Sequence, residues 1–168
     1  MEIGVRVANA GDAELVGRIL RSSYPPLLAG HYEASVLARA LPFMTCANPS
    51  LLTSGTFFLA DIAGQAVGCG GWTHEEPGTG KVERGLAHIR HFAVCGDWIG
   101  RGVGSALYAR CETEAREAGV TRLWCYSTLN GQRFYEAIGF GSPEPMQVAM
   151  GPDLLFPAVR MSRDIGRP

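Results

Sequence analysis

Apolar and polar residues alternate from Ile3 to Ala8, the two-residue period of a strand. Ala10-Gly11-Asp12 then supplies a turn in which Asp12 is placed to cap a helix. Leu15, Val16, Ile19 and Leu20 recur at helical spacing through Arg21, Tyr24-Pro25-Pro26 interrupts them, and a second helix fits 31–40. Residues 42–54 hold Asn48-Pro49-Ser50 and no clean period, which predicts a loop, mobile or substrate-facing. Thr56 to Ala63 reads as a strand, Gly64-Gln65 as a two-residue hairpin turn, and Ala66 to Thr73 as the antiparallel partner despite Gly68, Gly70 and Gly71.

Residues 74–85 are polar and rich in turn formers, which predicts an exposed connection, and Leu86 to Cys95 is the next strand. From Gly102 onward, Val103, Ala106, Leu107, Cys111, Ala115 and Ala118 form one helical stripe closed by Gly119. Arg122 to Ser127 predicts a strand, Asn130 to Ile138 a short helix ended by Gly139, and Met146 to Met150 and Val159 to Arg163 closing strands. That order predicts an α/β (α+β) chain, a mixed sheet with helices on both faces.

Composition narrows the partners. The 168 residues suffice for one core, so a single domain spanning 1–168 is expected, and 46% hydrophobic with 18% charged residues leaves no case for extended disorder. A formal net charge of -1 argues against nonspecific nucleic-acid or anionic-membrane binding. No apolar run reaches the roughly 18 residues of a membrane span, and the first ten residues lack signal-peptide character, so a cytoplasmic location is expected. Cys46, Cys69, Cys95, Cys111 and Cys125 are scattered without a CxxC pair, which suggests free thiols rather than a disulfide framework or a metal site.

The candidate chemistry begins at Ile99-Gly100-Arg101-Gly102-Val103-Gly104-Ser105-Ala106-Leu107. A glycine-rich turn entering a helix exposes backbone N–H groups that lack internal partners, at the positive end of the helix dipole. Such a place suits a phosphate, and Arg101 adds a cation. A nucleotide P-loop would need the lysine and hydroxyl of GxxxxGK[ST], which are absent. A dinucleotide fold would want GxGxxG after the first strand, whereas this chain has GxGxxL two-thirds of the way along.

A third reading comes from resemblance. The segment resembles the acyl-CoA pyrophosphate loop of the GNAT superfamily of N-acetyltransferases, Q/R-x-x-G-x-G/A, with Ile99 in place of the usual Gln or Arg. His91-Phe92-Ala93-Val94 precedes the loop, and Ser127 to Phe140, STLNGQRFYEAIGF, follows it in a form similar to the family's S-L-N-x-x-x-F-Y-E-x-x-G-F signature. Order and spacing agree over 86–140, and the initial strand with two helices is also similar.

The resemblance implies the GNAT acyl-CoA N-acyltransferase fold, a mostly antiparallel sheet of six or seven strands with about four helices, splayed between the fourth and fifth strands. It implies acetyl-CoA as co-substrate. Backbone groups of Phe92, Ala93 and Val94 would pair with the pantetheine arm, an amide near Val94 would polarise the thioester carbonyl, and Gly100, Arg101, Gly102, Val103, Gly104 and Ser105 would hold the pyrophosphate. Tyr135 matches the family's general acid, and Asn130 would cap the following helix or touch the cofactor. Where some members carry a catalytic Glu this chain has His88, whose imidazole titrates in a suitable range for a base. His91 points to the opposite face by strand parity and reads as structural, while His74, Glu75, Glu76 and Glu83 are rival bases.

The implied activity is direct transfer of an acetyl group to a primary amine. Acceptor recognition is expected from 23–54, with Tyr24, Tyr32, Phe43 and Trp72 as candidate walls. The near balance of charge favours a small-molecule amine over a protein N-terminus or lysine. No metal, nucleic-acid or membrane partner is expected, and a homodimer is left open. The alternative of a different class is a catalytically silent acyl-CoA-binding or sensor module.

Overall fold

The computed structural model describes residues 1–166. Seven strands form one sheet: β1 (Gly4–Val7), β2 (Phe57–Ile62), β3 (Gln65–Thr73), β4 (Leu86–Val94), β5 (Arg122–Ser127), β6 (Gly141–Ala149) and β7 (Leu155–Asp164). Their order is β1-β2-β3-β4-β5-β7-β6. Only β4 and β5 run parallel, and they pair only over Leu86–His88 against Arg122–Trp124. Beyond His88 the two strands part, so the sheet is splayed where the resemblance implied.

Helices cover both faces. On one side α4 (Val103–Glu117) lays Val103, Leu107, Cys111 and Ala115 on Phe58, Ala60 and Val67, all buried. On the other, α1 (Ala13–Leu28) brings Val16, Ile19 and Leu20 onto Phe57, Leu59 and Cys69. Successive residues of β2 therefore enter opposite cores, which is why Phe57 to Ala60 is apolar without alternation. α2 (Ala34–Met44) closes a third cluster with Leu154 and Phe156.

Several boundaries differ from the sequence expectation. Asn9, not Asp12, caps the first helical turn, accepting from the Gly11 amide at 2.8 Å, while the Asp12 carboxylate takes the Asn9 amide and the two terminal guanidinium nitrogens of Arg6, Nη1 and Nη2. α1 continues through Pro25 and Pro26 to Leu28, because the missing amides fall in its last turn and Leu28 is anchored in the core. α2 begins later than residue 31 and carries Pro42 into its last turn. The expected loop over 42–54 contains a one-turn helix, α3 (Pro49–Leu52), capped by Asn48, with Leu51 and Leu52 buried.

The hairpin turn is Ala63-Gly64, one residue earlier than expected, since both have positive φ, 50° and 78°, and Gln65 already pairs with Ile62. β6 and β7 are longer than predicted, joined along almost their whole length. Among the described residues no helix is long and apolar enough to cross a membrane.

Candidate active site

The site is organised by an irregularity in β4. Cys69 pairs with Ala93 and Gly71 with Arg90, so His91 and Phe92 together oppose Gly70. This is a β-bulge, and His91 takes its extra length at φ 49°. The Phe92 ring lies over Gly70, where a Cβ would stand 2.4 Å from it. A glycine that looks unfavourable in a strand is thus required by its neighbour.

The bulge and the splay leave one edge of β4 bare. The Cys95 amide donates to Val67 across β3 at 2.9 Å, so the alternation of a strand turns the Val94 N–H the other way, into the gap that β5 has left. The Phe92 carbonyl faces the same gap and accepts from the Tyr24 hydroxyl at 3.2 Å. The gap is a cleft of ≈ 640 Å³, walled by β4, the glycine loop, the end of β5 and the start of α5 (Gln132–Ala137).

At the mouth of the cleft, Gly100 and Gly102 have φ of 73° and 86°, which makes the turn that aims α4 at the opening. No side chain caps α4, and Val103, Gly104 and Ser105 line the cleft at its first turn. Amides at such a helix start have the chemistry to hold an anionic group. Gly104 has another reason to lack a side chain, since a Cβ there would meet the Phe134 ring at 2.9 Å. Arg101 does not line the cleft; its guanidinium sits 5.1 Å above the Trp98 ring. Ile99 lines it and is exposed.

Deeper in, Tyr135 is buried between Phe134 and Phe140, with edge-on rings 5.2 and 5.3 Å away, and it borders the cleft. Desolvation pushes its pKa well above 10.0, and the neighbouring Cys125 and Tyr24 add to the rise, so the phenol stays protonated. Asn130 also borders the cleft; α5 starts from Gly131 without a side-chain cap, and the buried Asn130 Oδ1 has no partner. Its free acceptor fits a donor on a bound molecule better than a helix cap.

His88 is brought to a different place. It is 8% exposed, contributes to neither cavity wall, and packs edge-on against Tyr126 with ring centres 6.0 Å apart. Burial lowers its pKa, partly opposed by the Glu76 carboxylate. Tyr126 itself borders the cleft and donates from its hydroxyl to Glu76 Oε1 at 2.5 Å. Two hydrogen bonds, from Thr79 and Tyr126, hold Glu76 below the usual carboxylate range.

A second cavity, ≈ 310 Å³, opens from the first and shares Tyr24, Ile89, His91, Tyr126 and Thr128 with it. Phe43 and Met44 of α2 and Val148 and Met150 of the β6–β7 hairpin enclose its far side. Of the expected acceptor residues, Tyr24 and Phe43 reach it. Trp72 is 3% exposed in the core. Tyr32 is a brace: its hydroxyl donates to the Pro157 carbonyl at 2.8 Å and accepts the Leu129 amide at 2.9 Å.

Strand parity missed His91. It borders both cavities because the bulge reverses the alternation, and burial beside Arg90 pushes its pKa down to about 4. Tyr126 was also missed, its only signal being an aromatic residue at the end of the diverging strand.

The family described as Acetyltransferase (GNAT) matches residues 18–140. No curated protein matches the chain by sequence. Among solved structures, a GCN5-related N-acetyltransferase of Rhodopseudomonas palustris superposes with TM-score 0.76 at 20% identity, covering 98% of this chain and 96% of that one. The PaiA N-acetyltransferase of Thermoplasma acidophilum, solved with coenzyme A, gives 0.72 at 17% identity over 98% and 99% of the two chains. The ribosomal-protein-S18-alanine N-acetyltransferase of Escherichia coli gives 0.65 at 17% over 99% and 96%. These likenesses establish the fold, and the match over 18–140, which takes in the splayed strand, the glycine loop and Tyr135, establishes that the chain belongs to the GNAT acetyltransferase family.

Proposed function

We propose that the protein is an acetyl-CoA-dependent N-acetyltransferase that passes the acetyl group directly to a primary amine of a small molecule. The observation that carries this reading is the bare edge of β4, whose Val94 amide opens into the same cleft as the glycine-loop amides of α4. The residues present fit the co-substrate: amides of Val103, Gly104 and Ser105 for its phosphates, the orphaned Asn130 acceptor and the edge of β4 for its arm. Acetyl-CoA supplies an activated thioester.

In the transfer, the Val94 N–H donates to the carbonyl oxygen as negative charge develops there. A C–N bond forms to the amine, the C–S bond breaks, and Tyr135 gives its proton to the departing thiolate, to be restored from solvent. For the proton lost by the amine, the geometry favours Tyr126 over His88: the Tyr126 oxygen accepts it while passing its own proton to Glu76, which is in contact with water. His88 acts, on this reading, only through its packing on Tyr126.

The small second cavity, walled by aromatic and aliphatic side chains, supports a small acceptor over a protein chain. The test is release of CoA thiol from acetyl-CoA, with the N-acetyl product identified by mass, across panels of small amines, peptides with free N-termini and lysine peptides. Turnover confined to small amines is the expected result. Turnover confined to peptides would overturn the acceptor class, and acetyl-CoA binding with no turnover on any panel would favour the silent sensor.

A further inference from the structure

The second cavity has one formal charge on its wall. Arg90 stands among Phe43, Met44, Val148, Met150 and Phe156, half-buried, and His91 beside it is neutral at pH 7 because its pKa is pushed down to about 4. The Arg90 guanidinium donates to the Thr73 hydroxyl at 3.0 Å, which fixes its position. Among the described residues no carboxylate lies within salt-bridge distance of it. A guanidinium drawn out of water with no carboxylate in contact is costly, and burial pulls its pKa below the ordinary value, partly opposed by the more distant Glu75 carboxylate.

At the junction with the cleft the polarity is reversed. Tyr126 presents an oxygen backed by the Glu76 carboxylate, a place for an amine or ammonium group. The cavity therefore carries a cation on one wall, an anion-backed acceptor at its mouth, and apolar side chains between.

We propose that the acceptor is an amino carboxylate with an apolar side chain, its amine at Tyr126, its carboxylate on Arg90, and its side chain against Phe43, Met150 and Phe156. Arg90 is a specificity residue here: it touches the acceptor's carboxylate and takes no part in bond making. This assignment rests on the transferase reading for its chemistry, though the pocket's preference can be measured without turnover.

The experiment compares acetyl-CoA-dependent acetylation of L-phenylalanine and L-leucine with that of phenethylamine and isopentylamine, which lack the carboxylate. In wild type the amino acids are expected to exceed the bare amines in kcat/KM by roughly 10- to 100-fold, the worth of a buried charge-assisted contact. Arg90→Met should abolish that preference, chiefly through KM, and Arg90→Lys should keep part of it. Equal use of both classes by wild type, or an unchanged preference in Arg90→Met, would overturn the assignment.

Calorimetry of N-acetyl-L-phenylalanine and N-acetylphenethylamine on the CoA-loaded protein separates the two claims. If no amine is acetylated but the carboxylated product binds more tightly, and does so through Arg90, the transfer reading fails while the pocket assignment holds. If amines are acetylated with no carboxylate preference, the pocket assignment alone fails. Should Arg90→Met not fold, the wild-type preference together with Arg90→Lys decides the matter.

Discussion

The Tyr24 hydroxyl donates to the Phe92 carbonyl over 3.2 Å, fastening the last part of α1 to the bulged half of β4 where the cleft divides into its two cavities. The bond closes one acceptor on an otherwise open strand edge and leaves the Val94 donor free. Tyr24→Phe should cost about 1 kcal/mol of stability in urea denaturation. It should raise the KM of the amine more than that of acetyl-CoA, because Tyr24 is the one α1 residue that also lines the second cavity. A change confined to acetyl-CoA would mean that the tie serves the cofactor arm instead.

Tyr135→Phe keeps the ring that packs between Phe134 and Phe140 and removes only the hydroxyl. The expected outcome is a fall in kcat on the order of 100-fold with CoA affinity nearly unchanged. Full activity with every acceptor would remove Tyr135 from the chemistry.

The proton path gives a paired prediction. Glu76→Gln leaves a hydrogen-bond partner for Tyr126 but no base, and kcat/KM should fall roughly 10- to 100-fold below the pKa of the amine, with recovery as rising pH delivers a neutral amine. His88→Ala should act more weakly, through the packing of Tyr126. If His88→Ala instead removes a kinetic pKa while Glu76→Gln is silent, the base is His88.

The loop's glycines serve different ends, and substitutions should separate them. Gly104→Ala drives a Cβ to 2.9 Å from the Phe134 ring and should destabilise the fold by about 1–3 kcal/mol. Ile99→Arg adds a cation at the mouth of the cleft without disturbing the core, since Ile99 is exposed, and should tighten CoA binding several-fold at low salt. Calorimetry at two salt concentrations reads this directly.

Stability should depend on pH through His91. Its folded pKa is about 4 against 6.5 for the free side chain, so the folded state holds fewer protons in that window. The stabilisation of the neutral form is complete above about pH 6.5 and is lost as pH falls toward 4, at no more than about 1.4 kcal/mol per pH unit. His91→Gln should reduce the slope of the denaturation midpoint between pH 7 and 5, leaving the contribution of His88, whose pKa burial also lowers. Asp12, whose carboxyl the Arg6 guanidinium holds below the usual range, adds a separate loss only as pH falls below 4.

The residues explain how much of the molecule is legible in its sequence. Order and type of elements follow from periodicity, and the glycine loop together with NGQRFYEAIGF marks the family by residue pattern alone. The bulge leaves no such pattern, because it depends on Gly70 meeting the Phe92 ring across two strands, and the orientation of His91 depends on it in turn. His88 matches by position in the chain, but the short parallel pairing with Trp124 buries it behind Tyr126. The Tyr126–Glu76 contact joins residues fifty apart and leaves no local pattern. Gly104 reads as an opening for a ligand, and Phe134 gives it a packing reason as well.

Direct transfer is the central claim, and a single-turnover experiment with acetyl-labelled acetyl-CoA tests it. Protein, label and an accepted amine are mixed and quenched over time. The label should pass to the amine at the rate of thiol release, with none held on the protein at any time. Label that first accumulates on the protein, or thiol release without labelled amine, would contradict the account.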